Sequence, residues 1–256
     1  MATHGNPRAT VTASVGYGMA VLHPDPAHPR AWTLLVDGVP QSYVDLADPA
    51  HLEFDYLNRL ALVLRLCAPP RVPRRVLHLG GGALSLPRLV AATRPGSAQT
   101  VVERDGELVA LVSRELPPPP GVRIVIGDAR EQVERAAPGA YDVIVADVFE
   151  GAWMPDSVAT TGFAAAARRA GALLAMNLTD VPPLARTRIQ VATLRSVFAD
   201  VCVLAEPAVL RGRKAGNAVL VAGDRLADLP ARAGALRGSE LSRFSGGAKA
   251  RLDDAD

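Results

Sequence analysis

The sequence predicts an α/β fold: a mostly parallel sheet covered on both faces, preceded by a small antiparallel β domain. Three observations predict it. Short apolar runs at 75–79, 99–103, 123–126, 142–146, 171–177, 201–205 and 217–222 are bounded by turn residues, most with a helix-length stretch between them. That is the pattern of strands buried on both faces. A Gly80-Gly81-Gly82 run follows the first of them, where a doubly wound sheet lets a ligand approach the backbone. Upstream, Asp37-Gly38 separates the β-prone runs 32–36 and 39–44, a hairpin signal because glycine tolerates the positive φ of a tight turn.

The elements follow in order. Residues 1–50 carry β signals, with valine, tyrosine and glycine interleaved over 11–22 and a loop over 23–30 containing Pro24, Pro26 and Pro29. Asp48-Pro49 is expected to open a helix that runs through Leu66, with Leu52, Tyr56, Leu60 and Val63 at helical spacing. Prolines 69, 70 and 73 end it. The main α/β unit spans 51–223. Its last two strand candidates follow each other without a helix and are expected to form an antiparallel edge pair. Residues 224–256 read as a loosely held C-terminal tail.

Composition bounds the function. The chain has 256 residues, 49% hydrophobic and 21% charged, enough to bury a sizeable core. A net charge of +2 is too small to argue for a nucleic-acid or membrane partner. Cys67 and Cys202 are isolated in apolar contexts and read as buried thiols. No apolar stretch is long enough for a membrane span, and the N-terminus lacks an apolar signal core, so a cytoplasmic protein is expected. The five histidines show no metal spacing, and no metal is expected. His78, inside the first strand of the main sheet, reads as a core or crevice-wall residue.

The chemistry concentrates at strand ends. Gly80, Gly81 and Gly82 form the first turn, and Glu103 ends the second strand about where an acid can hold both ribose hydroxyls. Asp128, followed by Ala129, ends the third strand, and Asp147 ends the fourth. The carboxyl ends of such strands converge on one crevice, so a glycine turn and three acids there point to adenosine. Gly82 is followed by Ala83-Leu84-Ser85, without the lysine of a P-loop, and the third glycine of G-x-G-x-x-G is Ser85.

The stretch Leu35-Val36-Asp37-Gly38-Val39-Pro40-Gln41-Ser42, then Glu53-Phe54-Asp55-Tyr56, the glycine turn, Glu103, Gly127-Asp128 and Tyr141–147 together resemble the spermidine synthase (polyamine aminopropyltransferase) family over about residues 30–223. The nearest likeness is to its actinobacterial spermidine-synthase-like branch. The resemblance implies a Rossmann-like, S-adenosylmethionine-dependent methyltransferase fold, an N-terminal β-hairpin domain over 1–50, a nucleoside-binding catalytic domain over 51–223, and a homodimer. It implies that Gln41 contacts the sulfonium region, Glu103 the ribose and Asp128 the adenine amine, with Asp147 at the mouth of the donor site.

The departures from the family pattern are specific. The acid after its glycine run is Ala83, its Y-H-E is Tyr56-Leu57-Asn58, its D-S-S-D-P loop is Asp147-Val148-Phe149-Glu150-Gly151, and its late tyrosine-proline is Leu210-Arg211. Three functions follow as expectations. The first is aminopropyl transfer from decarboxylated S-adenosylmethionine to a small-molecule amine, with Glu150 as base assisted by Asp147 and Asp180. The second is transfer of a methyl or other group from intact S-adenosylmethionine to a non-polyamine acceptor, including an anionic one. The third is nucleoside binding without catalysis. Several residues keep two readings. Asp180 is a crevice acid or a helix cap. Arg211, Arg213 and Lys214 are a solvated loop or a contact for a ligand carboxylate or phosphate. Trp153 and Met154 form an apolar lid or pack on the sheet edge, and Tyr43 is a candidate for the cleft wall.

Overall fold

The computed structural model describes residues 9–226 and 235–253. Strands β1 (Val11–Val15), β2 (Gly18–Pro24), β3 (Ala31–Val36) and β4 (Val39–Asp45) form an antiparallel sheet in chain order. The run 11–22 is therefore two strands, broken by a turn at Gly16-Tyr17. The Asp37-Gly38 hairpin forms as expected, with φ of 47° and 76° at its two central residues, the signature of a turn whose twist matches its strands.

Helix α1 (Asp55–Leu66) leads into the main unit. It begins later than the sequence reading, because Asp48 accepts the Ala50 N–H in a local turn and Leu52 is drawn into the core. The Asn58 amide bonds the Leu52 and Phe54 carbonyls, fixing that entry. At the far end of α1, buried Arg94 donates to the carbonyls of Leu64, Arg65, Ala68, Pro69 and Val72. One side chain thus satisfies the orphan acceptors of a helix C-terminus and the turn that follows.

The chain then alternates: β5 (Arg75–Leu79), α2 (Ser85–Thr93), β6 (Ala98–Glu103), α3 (Gly106–Glu115), β7 (Val122–Ile126), α4 (Ala129–Arg135), β8 (Val143–Ala146), α5 (Thr161–Ala170), β9 (Leu173–Asp180), α6 (Ala185–Arg195) and β10 (Asp200–Ala205). Helix α7 (Pro207–Leu210), β11 (Gly216–Gly223), β12 (Ala235–Leu236) and α8 (Gly238–Ser245) complete the described residues. The sheet order is β12-β10-β11-β9-β8-β5-β6-β7. Strands β5 to β9 are parallel, and the order reverses between β5 and β8, the switch point where such sheets bind ligands.

Strands β10 and β11 pair antiparallel at one end of the sheet, as expected, with only the two-residue β12 outside them, and β11 also pairs antiparallel with β9. The apolar run 218–222 of β11 is buried throughout, as an interior strand requires. The two strands do not follow each other without a helix: one-turn α7 lies between them. Nor are the described residues after 234 loosely held. Leu241 and Phe244 of α8 enter the core, Arg188 stacks on Phe244 at 4.6 Å, and Asp253 accepts bonds from Thr160 and the Gly162 N–H at the start of α5.

Each face of the large sheet carries an apolar cluster. A third joins Leu22, Trp32 and Leu34 of the small sheet to Leu108, Leu111 and Val112 of α3. Each fully buried side chain of this size contributes roughly 1.5–3 kcal/mol, so the small sheet is held against α3 of the main unit. Both thiols are free and raised by burial, Cys202 to about 12.

His78 lies in the middle of β5, buried, with its Nε2 2.9 Å from the Gln99 side-chain oxygen and no partner for Nδ1. Burial pushes its pKa down from 6.5 to about 4. The folded protein keeps the ring neutral where the unfolded chain would take up a proton, so stability is lost as pH falls from about 6.5 toward 4, by about 3 kcal/mol at most. His78→Leu is expected to flatten the dependence of Tm on pH in that window; an unchanged slope would refute the assignment.

Candidate active site

The glycine turn leaves β5 with no room for side chains. Gly80 has φ of 89°, and a Cβ there would lie 2.1 Å from the Asp147 carbonyl oxygen. A Cβ on Gly82 would lie 2.5 Å from the Ser42 hydroxyl. Ser42 instead accepts the Ala83 N–H at 3.1 Å, and Ser85 donates to the Tyr43 carbonyl at 2.9 Å. The glycine turn is therefore fastened to β4, which puts Gln41 beside it on the rim of a cleft.

Glu103 closes the other side of the turn. Its two oxygens accept the Gly81 N–H at 2.9 Å and the Asp105 N–H at 3.1 Å. These bonds orient the carboxylate and leave lone pairs for further donors. Asp128 caps α4 through the Glu131 N–H at 3.0 Å, just ahead of Ala129. Gly80, Gly81, Gly82, Glu103, Asp128 and Asp147 thus lie at neighbouring strand ends of one sheet edge.

Asp147 does not itself line the cleft but is linked to it through Tyr56 and Asn177. It ends β8, where burial pushes its pKa up from 3.8 to about 6, against hydrogen bonds from Asn177 and Tyr56 that favour its charge. Asn177 donates to it at 2.8 Å, and Asn217 in turn donates to the Asn177 oxygen at 3.1 Å. The Tyr56 hydroxyl is shifted upward by burial and by the neighbouring Asp147 charge. Tyr56, Asn177 and Asn217 all line a cleft of about 500 Å³. Phe54 stacks with Tyr56 on one wall, and Phe149 lines it after Asp147. The arrangement offers a half-buried carboxylate with a raised pKa, linked through Tyr56 and Asn177 to an opening that admits a small molecule. Such a group can take a proton.

The other sequence-derived candidates go elsewhere. Glu150 is not among the cleft-lining residues; it forms an ion pair with Arg104, whose guanidinium also lies 4.9 Å from the Tyr17 ring. Asp180 is buried and fully engaged: it accepts the Val181 N–H at 2.8 Å and the Thr187 N–H and hydroxyl at 2.7 Å each. Its carboxylate fixes the turn from β9 into α6. Met154 belongs to the core and Trp153 is stacked under Arg186 at 4.5 Å, so this pair packs on the sheet edge and is no lid. The Tyr43 hydroxyl donates to Asp25, away from the cleft. Leu57 is a core residue. Of the basic loop, Lys214 lines the cleft and pairs with Glu206; Arg211 and Arg213 are exposed outside it.

The sequence reading missed Asn177, Asn217 and Glu206. In the β9–β11 register Asn217 stands opposite Thr179 and Asn177 opposite Val219, so the two asparagines are diagonal neighbours joined by their side chains, a pairing legible only once β11 is known to lie beside β9. Because the Arg104–Glu150 pair is exposed, it contributes about 1 kcal/mol or less. Glu150→Gln is accordingly expected to keep turnover within about threefold of wild type, measured as initial rate under saturating substrates. A loss beyond a hundredfold would restore Glu150 as the base.

Among the described residues no group of three or more histidine, cysteine or acidic side chains is placed to hold a metal ion, and no helix is long and apolar enough to cross a membrane. No protein-family model matches the chain. A 95-residue stretch is 33% identical to a polyamine aminopropyltransferase of Vibrio vulnificus, covering 36% of this chain and about a third, 32%, of that protein's length. The chain has the fold of a spermidine synthase crystallised with the transition-state analogue AdoDATO, with a TM-score of 0.63, 18% identity, and coverage of 86% of this chain and 74% of that one. The likeness to a probable spermidine synthase from Corynebacterium glutamicum is end to end: 31% identity, a TM-score of 0.89, and coverage of 97% of this chain and 98% of that one. With the glycine turn, the strand-end acids and the hairpin prelude in place, that likeness makes this chain a member of the spermidine synthase family.

Proposed function

We propose that the chain is an aminopropyltransferase, moving the aminopropyl group of decarboxylated S-adenosylmethionine to an amine acceptor. The observation that carries this reading is Asp147, a half-buried carboxylate linked through Tyr56 and Asn177 to the cleft that they line. Gly80, Gly81 and Gly82 admit the nucleoside to the backbone, Glu103 accepts from the ribose hydroxyls, and Asp128, beside Ala129, accepts from the adenine amine. Gln41 contacts the sulfonium end. The acceptor nitrogen forms a C–N bond to the propyl carbon while the C–S bond breaks. The electron pair returns to sulfur, leaving 5′-methylthioadenosine, and the nitrogen's proton passes to Asp147.

The sulfonium is already a good leaving group, so the residues' work is positioning and deprotonation. In this reading residues 1–50 form the domain that supplies Gln41 and residues 51–223 the catalytic domain. The family resemblance adds a homodimer and a part in polyamine biosynthesis. The test is incubation of the purified protein with decarboxylated S-adenosylmethionine and a panel of primary amines, with detection of 5′-methylthioadenosine by mass spectrometry. Its amine-dependent release is expected; no release with any amine, alongside methylated product from intact S-adenosylmethionine, would favour methyl transfer instead.

A further inference from the structure

The charges of the cleft come in pairs. On the α1 wall Arg59 lies 3.7 Å from Asp55, and on the opposite side Lys214 lies 2.5 Å from Glu206. All four line the cleft, so its walls carry two acids and two bases and no net charge. Asp147 adds at most one negative charge, and that charge is reduced near pH 6. An ammonium group leaves water only for a site that supplies compensating charge or acceptors. A diamine held as a dication would have to separate both wall pairs and leave Arg59 and Lys214 facing it.

A ligand that carries an ammonium and a carboxylate meets no such conflict. Its carboxylate takes Lys214 and its ammonium takes Glu206, exchanging one ion pair for two. Lys214 suits this exchange: its side chain is 52% exposed, it sits in the loop between α7 and β11, and the ammonium is a point charge on a flexible stem. Ala83, fully buried where the glycine turn meets β4, adds no acid that would repel a carboxylate.

We infer that the cleft is built for a zwitterionic ligand, a carboxylate close to an amine, with Lys214 as the residue that selects it. The inference rests on the nucleoside site proposed above. The carboxylate has two sources, an amino-acid acceptor or the methionine part of intact S-adenosylmethionine, and one experiment separates them. Binding is measured by calorimetry for two pairs of ligands: S-adenosylmethionine against its decarboxylated form, and, with 5′-methylthioadenosine present, 4-aminobutyrate against 1,4-diaminobutane. In at least one pair the carboxylate-bearing member is expected to bind tenfold or more tighter, and Lys214→Gln is expected to abolish that preference.

A preference in the first pair assigns the carboxylate to the donor and replaces the decarboxylated donor proposed above by intact S-adenosylmethionine; a preference in the second assigns it to the acceptor and leaves that donor in place. Equal or weaker binding of both carboxylate-bearing members would overturn the inference, as would a preference that survives Lys214→Gln. Binding of 5′-methylthioadenosine alone is the control. If it binds and the preference is missing, only the zwitterion inference fails. If it does not bind, the nucleoside site fails and the inference falls with it.

Discussion

Asp147→Asn is expected to lower transfer by about 10²–10⁴-fold, the range that a positioned general base contributes, while making the protein more stable at neutral pH. The two effects have one cause. Asp147 has a pKa of about 6 in the folded chain against 3.8 in the unfolded one, because burial disfavours its charge. The folded state therefore holds a proton through a window where the unfolded state has released it. Stability falls as pH rises from about 3.8 through 6, and at pH 7 the charged group costs about 3 kcal/mol at most. Asparagine removes that charge and keeps an oxygen to accept from Asn177. For a chain of this size 1 kcal/mol moves Tm by roughly 2–4 °C, so a rise of several degrees is expected at pH 7.5 and little change at pH 4.5. In wild type the rate limb with an apparent pKa near 6 is expected to vanish in the variant's residual activity. A variant with equal Tm shifts at both pH values would contradict the burial of a charge at this position, and one with full activity would remove Asp147 as the base.

Much of this site was legible in the sequence, for a physical reason. The glycine turn and the strand-end acids are short contiguous motifs, and a parallel sheet places successive carboxyl ends side by side. Gly80–82, Glu103, Asp128 and Asp147 could therefore be placed together before any coordinates. The cleft is assembled across the sheet. Tyr56 comes from α1, Asn177 from β9, and Lys214 and Asn217 from the loop and strand that follow α7. Their meeting depends on β11 inserting beside β9. Nothing local in the sequence says which strand of the antiparallel pair is the inner one, since a buried strand in either place is a run of apolar residues. The sequence left the tasks of Glu150 and Asp180 open for a related reason. Both are acids next to strand ends, and only the neighbours they meet, Arg104 and the start of α6, decide their tasks.

Gly80→Ala is expected to be the most damaging single methyl in the chain's nucleoside edge. Two penalties add. The φ of 89° is a conformation that side chains rarely adopt, and the new Cβ would stand 2.1 Å from the Asp147 carbonyl oxygen, a backbone atom that cannot rotate away. Relief requires β8 or the glycine turn to move, and Asp147 N–H is bonded to the Leu79 carbonyl one residue earlier. The expected destabilisation is on the order of 3 kcal/mol, and donor affinity is expected to fall at least tenfold because the turn and the base shift together. Gly139→Ala is the control: its φ is also positive, 63°, but a Cβ there meets nothing within 4 Å. It should carry only the conformational cost, about 1 kcal/mol, with donor binding unchanged. Chemical denaturation and calorimetric titration of both variants measure the difference. If Gly80→Ala behaved like Gly139→Ala, the close contact between the glycine turn and Asp147 would not exist in solution, and the coupling of donor site to base that it implies would be lost with it.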